Sequence, residues 1–342
     1  MKKALIVLMS LFLVVVMAAC SSGKASESED NTLTVAWLPN ESGADVKAAR
    51  EAVGAMIEKA TGKKVEHKTT TDYIIAIESI ANGSADIAFL GAQGYIEAHN
   101  KNEKVLPLVV PSGESGTIED AVYHSWIAVK QGNEAQYKDG DKFSIENIAG
   151  KSFSFVSTSS TSGFKVPSAG IVSHFSKEDK YKDLKAEDLL KGGKFFDKVL
   201  FGNSHQGSAV NLLSGKAEVA AFCDTCVANY VELSDGEHNK AGAVYKVKED
   251  AAQPFDKVIG EKFVLVSDTP VLNAPFTVNT ENVSDKDRKA LVEAFTSDEV
   301  ANNEDIFVPE DSKKPALFTS TGKERFVKVE DSWFDPIREL SK

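Results

Sequence analysis

The sequence is short of cysteine, of positive charge and of long apolar runs. Three cysteines occur in 342 residues, Cys20, Cys223 and Cys226, too few for a disulfide scaffold. Lys and Arg number 39 against 51 Asp and Glu, for a net charge of −12. A nucleic-acid binder needs a basic face, and this balance argues against one. It leaves a small anionic ligand open, because screening confines long-range repulsion to about 8–10 Å at physiological salt. No apolar stretch approaches the ~18 residues that span a bilayer. Walker, GxGxxG, GxSxG, HxH and HxxxH patterns are absent, which removes the usual nucleotide, nucleophile-elbow and zinc signatures. The remainder is ordinary globular composition, 42% hydrophobic and 26% charged, enough for two domains of about 150 residues or one large one.

The first twenty residues read as an export signal. Lys2 and Lys3 precede a nearly unbroken apolar run at 4–16, followed by Val16-Met17-Ala18-Ala19-Cys20. The run suits a signal-peptide core. Small residues ahead of a Cys resemble a bacterial lipobox, which implies cleavage after residue 19 and a lipid on the Cys20 thiol. The alternative is an ordinary secretory signal with an incidental Cys. Residues 20–31 lack apolar periodicity and read as a flexible tether. The folded body is then expected on the outer face of the cytoplasmic membrane, held by lipid alone.

Strands are expected at 33–38, 64–70, 85–90 and 105–110, with helices at 44–61, from 72 to 81 and at 95–100. This alternation implies a mostly parallel sheet flanked by helices. After a Gly- and Ser-rich loop at 111–120 a second series begins. Strands are expected at 125–130, 152–156, 198–201, 218–222, 243–248 and 263–267. Helices are expected at 164–175, 206–214, 226–233, 285–295 and 332–340. The wording around residues 79–89 recurs around 211–221. Both passages read helix, Gly turn, acid, buried strand. The fold class is therefore α/β in two lobes: residues 32–124, then 125–274, with 275–342 returning to the first.

The most informative segment is 157–167. A buried strand runs into a turn of Ser and Thr that opens a helix, with Gly163 permitting close approach and Pro167 suited to a first turn. A helix start offers unpaired N–H groups and a partial positive charge, and with hydroxyls it cradles an oxyanion. A plain surface N-cap is the bland alternative. Ser160-Thr161-Ser162-Gly163-Phe164-x-Val166-Pro167 resembles the signature of PhnD-like proteins, the binding components of phosphonate, phosphite and phosphate ABC importers. Asp72-Tyr73, the strand and turn from Asp86 to Gly91, Gly202 to His205, and Leu213 to Ala221 look like further landmarks of that family.

The resemblance implies a type II periplasmic-binding-protein fold, with each lobe a mostly parallel sheet and the ligand trapped between the lobes. It implies that Ser160, Thr161 and Ser162 hold the oxyanion, assisted by Tyr73, Tyr123 and His205. Read from the residues alone, Tyr73 and Tyr123 suit an ordinary cleft or surface position equally well, and the alternative for His205 is a surface histidine at a helix start. The aminoalkylphosphonate binders of the family carry an acid just after the histidine. Here it is Gln206, which cannot hold an ammonium group, although Asp224 offers a carboxylate if it is not simply a helix cap. Cys223 and Cys226 are read as a structural disulfide beside the cleft, ahead of reduced thiols or a redox or metal role. The expected function is a substrate-binding lipoprotein that passes phosphite or an alkylphosphonate to permease subunits, with no cofactor and no nucleic acid. The alternatives are an extracytoplasmic phosphoester hydrolase or thiol-disulfide protein, a non-phosphorus ligand, or an adhesin.

Overall fold

The computed structural model describes residues 31–140 and 142–340. The expected signal peptide, the Cys20 lipidation site and nearly all of the tether lie outside these residues. Among the described residues no helix is long and apolar enough to cross a membrane.

The first sheet is built around the strand Thr32–Trp37, whose inner half is buried on both faces. It pairs in parallel with Lys64–Thr69 and with Ile87–Phe89. The intervening helix Lys47–Thr61 turns Ala49, Val53, Met56 and Ile57 inward, a spacing that makes one apolar stripe. It stops at Gly62, which takes φ +73° and sends its N–H to the Glu58 carbonyl, a left-handed cap suited to glycine. The helix Tyr73–Ala81 starts where the Asp72 carboxylate accepts from the Ile74 N–H. A third helix, Ala92–Lys101, follows Gly91.

Among the described residues, parallel pairing in each of the two large sheets involves three strands, a narrower share than the sequence led us to expect. In the first sheet Phe276–Asn279 runs antiparallel between Ile87–Phe89 and Val105–Pro111, and Phe326–Lys328 adds antiparallel at the edge. In the second, Ser152–Phe155 pairs in parallel with Lys198–Phe201 and Val219–Cys223. Val122–Lys130, Lys262–Leu272, Val244–Val247 and Val231–Asp235 extend that sheet antiparallel. Parallel neighbours need a long crossover, whereas a strand arriving by a short link runs the other way. Phe276–Asn279 instead enters the first sheet from the second, through the link after Leu272 and with no crossover helix. One expected helix is also shorter than read. It covers Asp224–Val227, and the alternating Val-Glu-Leu-Ser-Asp of 231–235 forms an edge strand instead.

The two lobes are joined by strands lying side by side. Val122–Lys130 and Lys262–Leu272 pair from Phe263 opposite Lys130 to Leu272 opposite Val122, with one irregularity between Leu265 and Ser267. Asn273 ties them to the first sheet through its N–H to the Ala121 carbonyl and its amide to the Pro111 carbonyl.

Aromatic rings fill the first lobe's core. Phe276 lies 4.8 Å from the rings of both Phe89 and Phe295 and edge-on to Trp37 and Phe326. This returning strand locks the chain's last segment onto its first. Truncation of a buried Phe costs about 3–5 kcal/mol. Phe276→Ala should lose stability on that scale in urea titration, and a loss below about 1 kcal/mol would show that the core closes without it.

Candidate functional site

The strand Ser152–Phe155 ends under the turn that opens the next helix. Ser160 caps this turn, its Oγ accepting the Gly163 N–H at 3.1 Å. Thr161–Lys165 wind as a wide turn, with the Lys165 N–H on the Ser160 carbonyl at 3.0 Å, and Val166–Phe175 continue as α-helix. A Cβ on Gly163 would fall 2.2 Å from Val156 Cγ2, so only glycine lets the helix start press onto the strand end. Ser160, Thr161, Ser162 and Gly163 are all buried.

His205 opens the helix His205–Leu213, which Ser204 caps. The Cys223 backbone N–H donates to its Nδ1 at 2.9 Å. In the neutral ring the proton must then sit on Nε2, and Nε2 faces Ser160 Oγ at 3.3 Å. Burial pushes the imidazole down to about 3, so the ring is neutral at physiological pH.

The first lobe completes the arrangement. Asn40, in the turn after the first strand, donates to the Tyr73 hydroxyl at 2.6 Å and accepts the His205 N–H at 3.0 Å. Thr161 Oγ1 accepts the Gln93 N–H, at the start of the Ala92–Lys101 helix, at 2.9 Å. A Cβ on Gly91 would fall 2.8 Å from that oxygen. Tyr123 lies within electrostatic reach of Asp224 and Glu41 and beside Thr161 and Ser162. Burial raises the Tyr73 and Tyr123 phenols, which keeps both as O–H donors. Ser162 is fully buried, and its Oγ finds no hydrogen-bond partner among the described residues.

These contacts share one sense. Protein N–H groups fill acceptor sites on Ser160, Thr161 and Tyr73, so each hydroxyl hydrogen is left to donate elsewhere. The result is a converging set of uncharged donors, a chemistry suited to an anion.

Gln206 and Asp224 hold the walls. Gln206 Nε2 donates to the Asn40 carbonyl at 3.1 Å and the Cys226 carbonyl at 3.0 Å, leaving a buried Oε1 without a partner among the described residues. Asp224 accepts the His124 N–H at 2.9 Å and the Asn239 amide at 3.4 Å, and burial raises its carboxyl. Cys223 and Cys226 are joined as a disulfide. Their sulfurs and a His205 ring nitrogen lie within 4.8 Å of one another, but zinc needs thiolates and Nδ1 already accepts a hydrogen bond.

Sequence reasoning missed Asn40, Gln93 and Glu97. Glu97 accepts from Ser159 Oγ at 2.6 Å and from Gln93 Nε2 at 2.9 Å. Farther out, the Tyr230 hydroxyl meets Asp45 at 2.7 Å and Asn229 exchanges two bonds with the Ala316 backbone. The lobes are shut against each other by these pairs. Asn40 and Gln93 follow the ends of the first and third strands, where ligands of open α/β sheets bind. That rule was the available signal.

Residues 35–334 match the family model described as ABC transporter, phosphonate, periplasmic substrate-binding protein. The chain belongs to this family. A relative from Mycolicibacterium smegmatis, named phosphate-import protein PhnD, is 28% identical over 221 residues, 61% of this chain and 62% of the relative. The match thus spans less than two thirds of that relative's length. Among solved structures, the binding protein component of an ABC phosphonate transporter from Pseudomonas aeruginosa aligns with TM-score 0.61 and 18% identity over 90% of this chain and 85% of its own. A PhnD protein from Prochlorococcus marinus in complex with methylphosphonate aligns with TM-score 0.63 and 17% identity over 91% and 97%. At these identities the likeness is one of fold, and it is the two-lobed type II fold.

In this chain the histidine geometry has a measurable consequence. Because the native state holds His205 neutral while the unfolded chain protonates near 6.5, His205 contributes stability above about pH 6.5 that is lost as pH falls toward 3. Ring-nitrogen NMR should show the neutral Nε2–H tautomer persisting at about pH 5. Protonation near 6.5 would mean that the ring is not sealed.

Proposed function

We propose that this chain is the substrate-binding lipoprotein of an ABC importer and that it captures a small phosphorus oxyanion, phosphite or an alkylphosphonate, by closure of the two lobes. The carrying observation is the Ser162 hydroxyl, fully buried and unpaired among the described residues, within a ring of neutral donors from both lobes. Ser160, Thr161, Ser162, Tyr73 and Tyr123 contact the oxyanion. His205 acts through Ser160, toward which its single N–H points. Gln206 and Asp224 shape the wall that receives the substituent on phosphorus. Cys20 anchors the protein to the outer face of the cytoplasmic membrane, and the permease subunits take the ligand when the lobes open.

Family membership and the named relatives support the transport role, and the relative named for phosphate import makes phosphate the competing ligand. The site's chemistry disfavours catalysis. Ser160 and His205 are adjacent, as in a nucleophile and its base, but the Cys223 N–H fills Nδ1 and leaves Nε2 protonated. A general base needs that Nε2 lone pair free. Gln206 in place of an acid disfavours 2-aminoethylphosphonate.

Thermal shift with phosphite, methylphosphonate, ethylphosphonate, 2-aminoethylphosphonate, phosphate and sulfate tests the reading. A ligand at about 100 times its Kd adds roughly 2.7 kcal/mol of stability. The largest shift is expected from phosphite or a small alkylphosphonate. Dominance of phosphate would correct the ligand, and a flat panel would overturn the oxyanion site. Against the best ligand, Ser162→Ala and Thr161→Ala should each weaken calorimetric affinity by about 1–3 kcal/mol, roughly five- to 150-fold. Unchanged affinity in both removes the cradle.

A further inference from the structure

Glu41 is a cleft-wall acid that the donor set above leaves unused. It closes the turn Pro39–Glu41 after the first strand, beside Asn40, whose side chain bonds both Tyr73 and the start of the His205 helix. The residue is partly exposed, yet Oε2 is sealed from solvent and has no hydrogen-bond partner among the described residues. Its charge acts on both cleft phenols, Tyr73 and Tyr123, which brings the carboxyl within electrostatic reach of the hydroxyls that face Ser160 and Ser162. Arg50, on the helix behind, gives its guanidinium to the Glu41 and Gly43 backbone carbonyls. Burial pushes the Glu41 carboxyl up to about 8, and its own backbone N–H, Asn40 and Arg50 pull it back only in part.

A buried carboxyl oxygen without a partner is costly. A carboxyl against an oxyanion has two ways to remove that cost. It donates its proton to a fully ionised oxygen, or as carboxylate it accepts from a P–O–H. Each way places one proton between two acids, and two bare anions at that distance repel.

Resting on the oxyanion reading above, we propose that Glu41 contacts the ligand and that one proton shared between its carboxyl and the bound oxyanion is part of the complex. The site then takes up its ligand together with a proton and rejects the fully deprotonated pair. Other groups around the carboxyl do not switch in the relevant range. Tyr73 and Tyr123 are held protonated by burial and His205 is held neutral. Arg50, which Asp45 helps to keep charged, remains a guanidinium. Asp224, which acts on Tyr123 from the second lobe, is common to any pair of variants compared.

The test is calorimetric binding of methylphosphonate between about pH 6.5 and 9.5 to the wild-type chain and to Glu41→Gln. Wild-type affinity should fall toward tenfold per pH unit above about pH 9, once neither acid retains its proton. The Gln variant donates an amide N–H at every pH and should stay flat over the same interval. A measurement that needs no variant repeats wild-type binding at about pH 9.5 in two buffers of different ionisation enthalpy, where uptake close to one proton is expected. Parallel slopes in the two proteins, or binding without proton uptake, overturn the role of Glu41 while leaving the transport reading intact. Failure of the wild-type chain to bind any oxyanion at every pH overturns both.

Discussion

The hydrogen bond from the Cys223 backbone N–H to His205 Nδ1 sets the polarity of the cleft. It fixes the neutral tautomer, turns Nε2 into a donor and aims it at Ser160. Ser160 then has its oxygen loaded by two N–H groups and offers its own hydrogen forward. The same logic repeats at Thr161 through Gln93 and at Tyr73 through Asn40. Were a carboxylate placed at Nδ1 instead, the imidazole would become a base and Ser160 a nucleophile. One backbone N–H therefore separates capture from chemistry. That N–H is positioned by the disulfide-closed turn of Cys223 and Cys226, which also supplies the carbonyl that receives Gln206.

On the proposed reading, neutral donors let a chain of net charge −12 hold an anion. Taking an ion out of water costs several kcal/mol even after relaxation. Each hydrogen bond to a charged acceptor returns about 1.5–3 kcal/mol, so a handful of converging donors offsets the cost without a lysine or arginine of the cradle. Such donors act at contact distance, where the surrounding acidic surface is screened. The helix starts at Tyr73, Ala92, Thr161 and His205 add the partial positive charge of their dipoles.

What could be read in advance divides by distance along the chain. Ser160 to Ser162 stand in one linear segment, so a cap, a glycine and a proline disclosed the helix start. Strand Lys198–Phe201 and helix Asp285–Phe295 carry their own periodicity and were legible to the residue. Asn40 lies 165 residues from His205, and Gln93 lies 68 from Thr161. Only their place after a strand end points to a site, and their partners are too distant in the chain to be read from it. The same limit hid the antiparallel strands. Residues 276–279 look like any buried strand, and their direction follows from the path of the chain back across the hinge. Segment 231–235 misled for a different reason, since a short apolar–polar run fits a helix or an edge strand until Val244–Val247 offers it a partner.

The closed arrangement balances two opposing sets of groups. Asn40 with His205, Gln206 with Asn40, Gln93 with Thr161 and Ser159 with Glu97 hold the lobes together through protein atoms alone. Against them stand Ser162 Oγ, Gln206 Oε1 and Glu41 Oε2, buried and unpaired among the described residues, each opposing closure by about 1–3 kcal/mol. A ligand shifts such an equilibrium only by its difference in affinity for the two states. The clasp bonds supply none of that difference, because they form with or without it. The unpaired atoms supply it, since an oxyanion that satisfies them does so only when both lobes reach it. On the proposed reading, selectivity resides less in the donors that any tetrahedral anion would use than in Gln206 Oε1 and Glu41 Oε2. These two acceptors ask whether the ligand can present something to them.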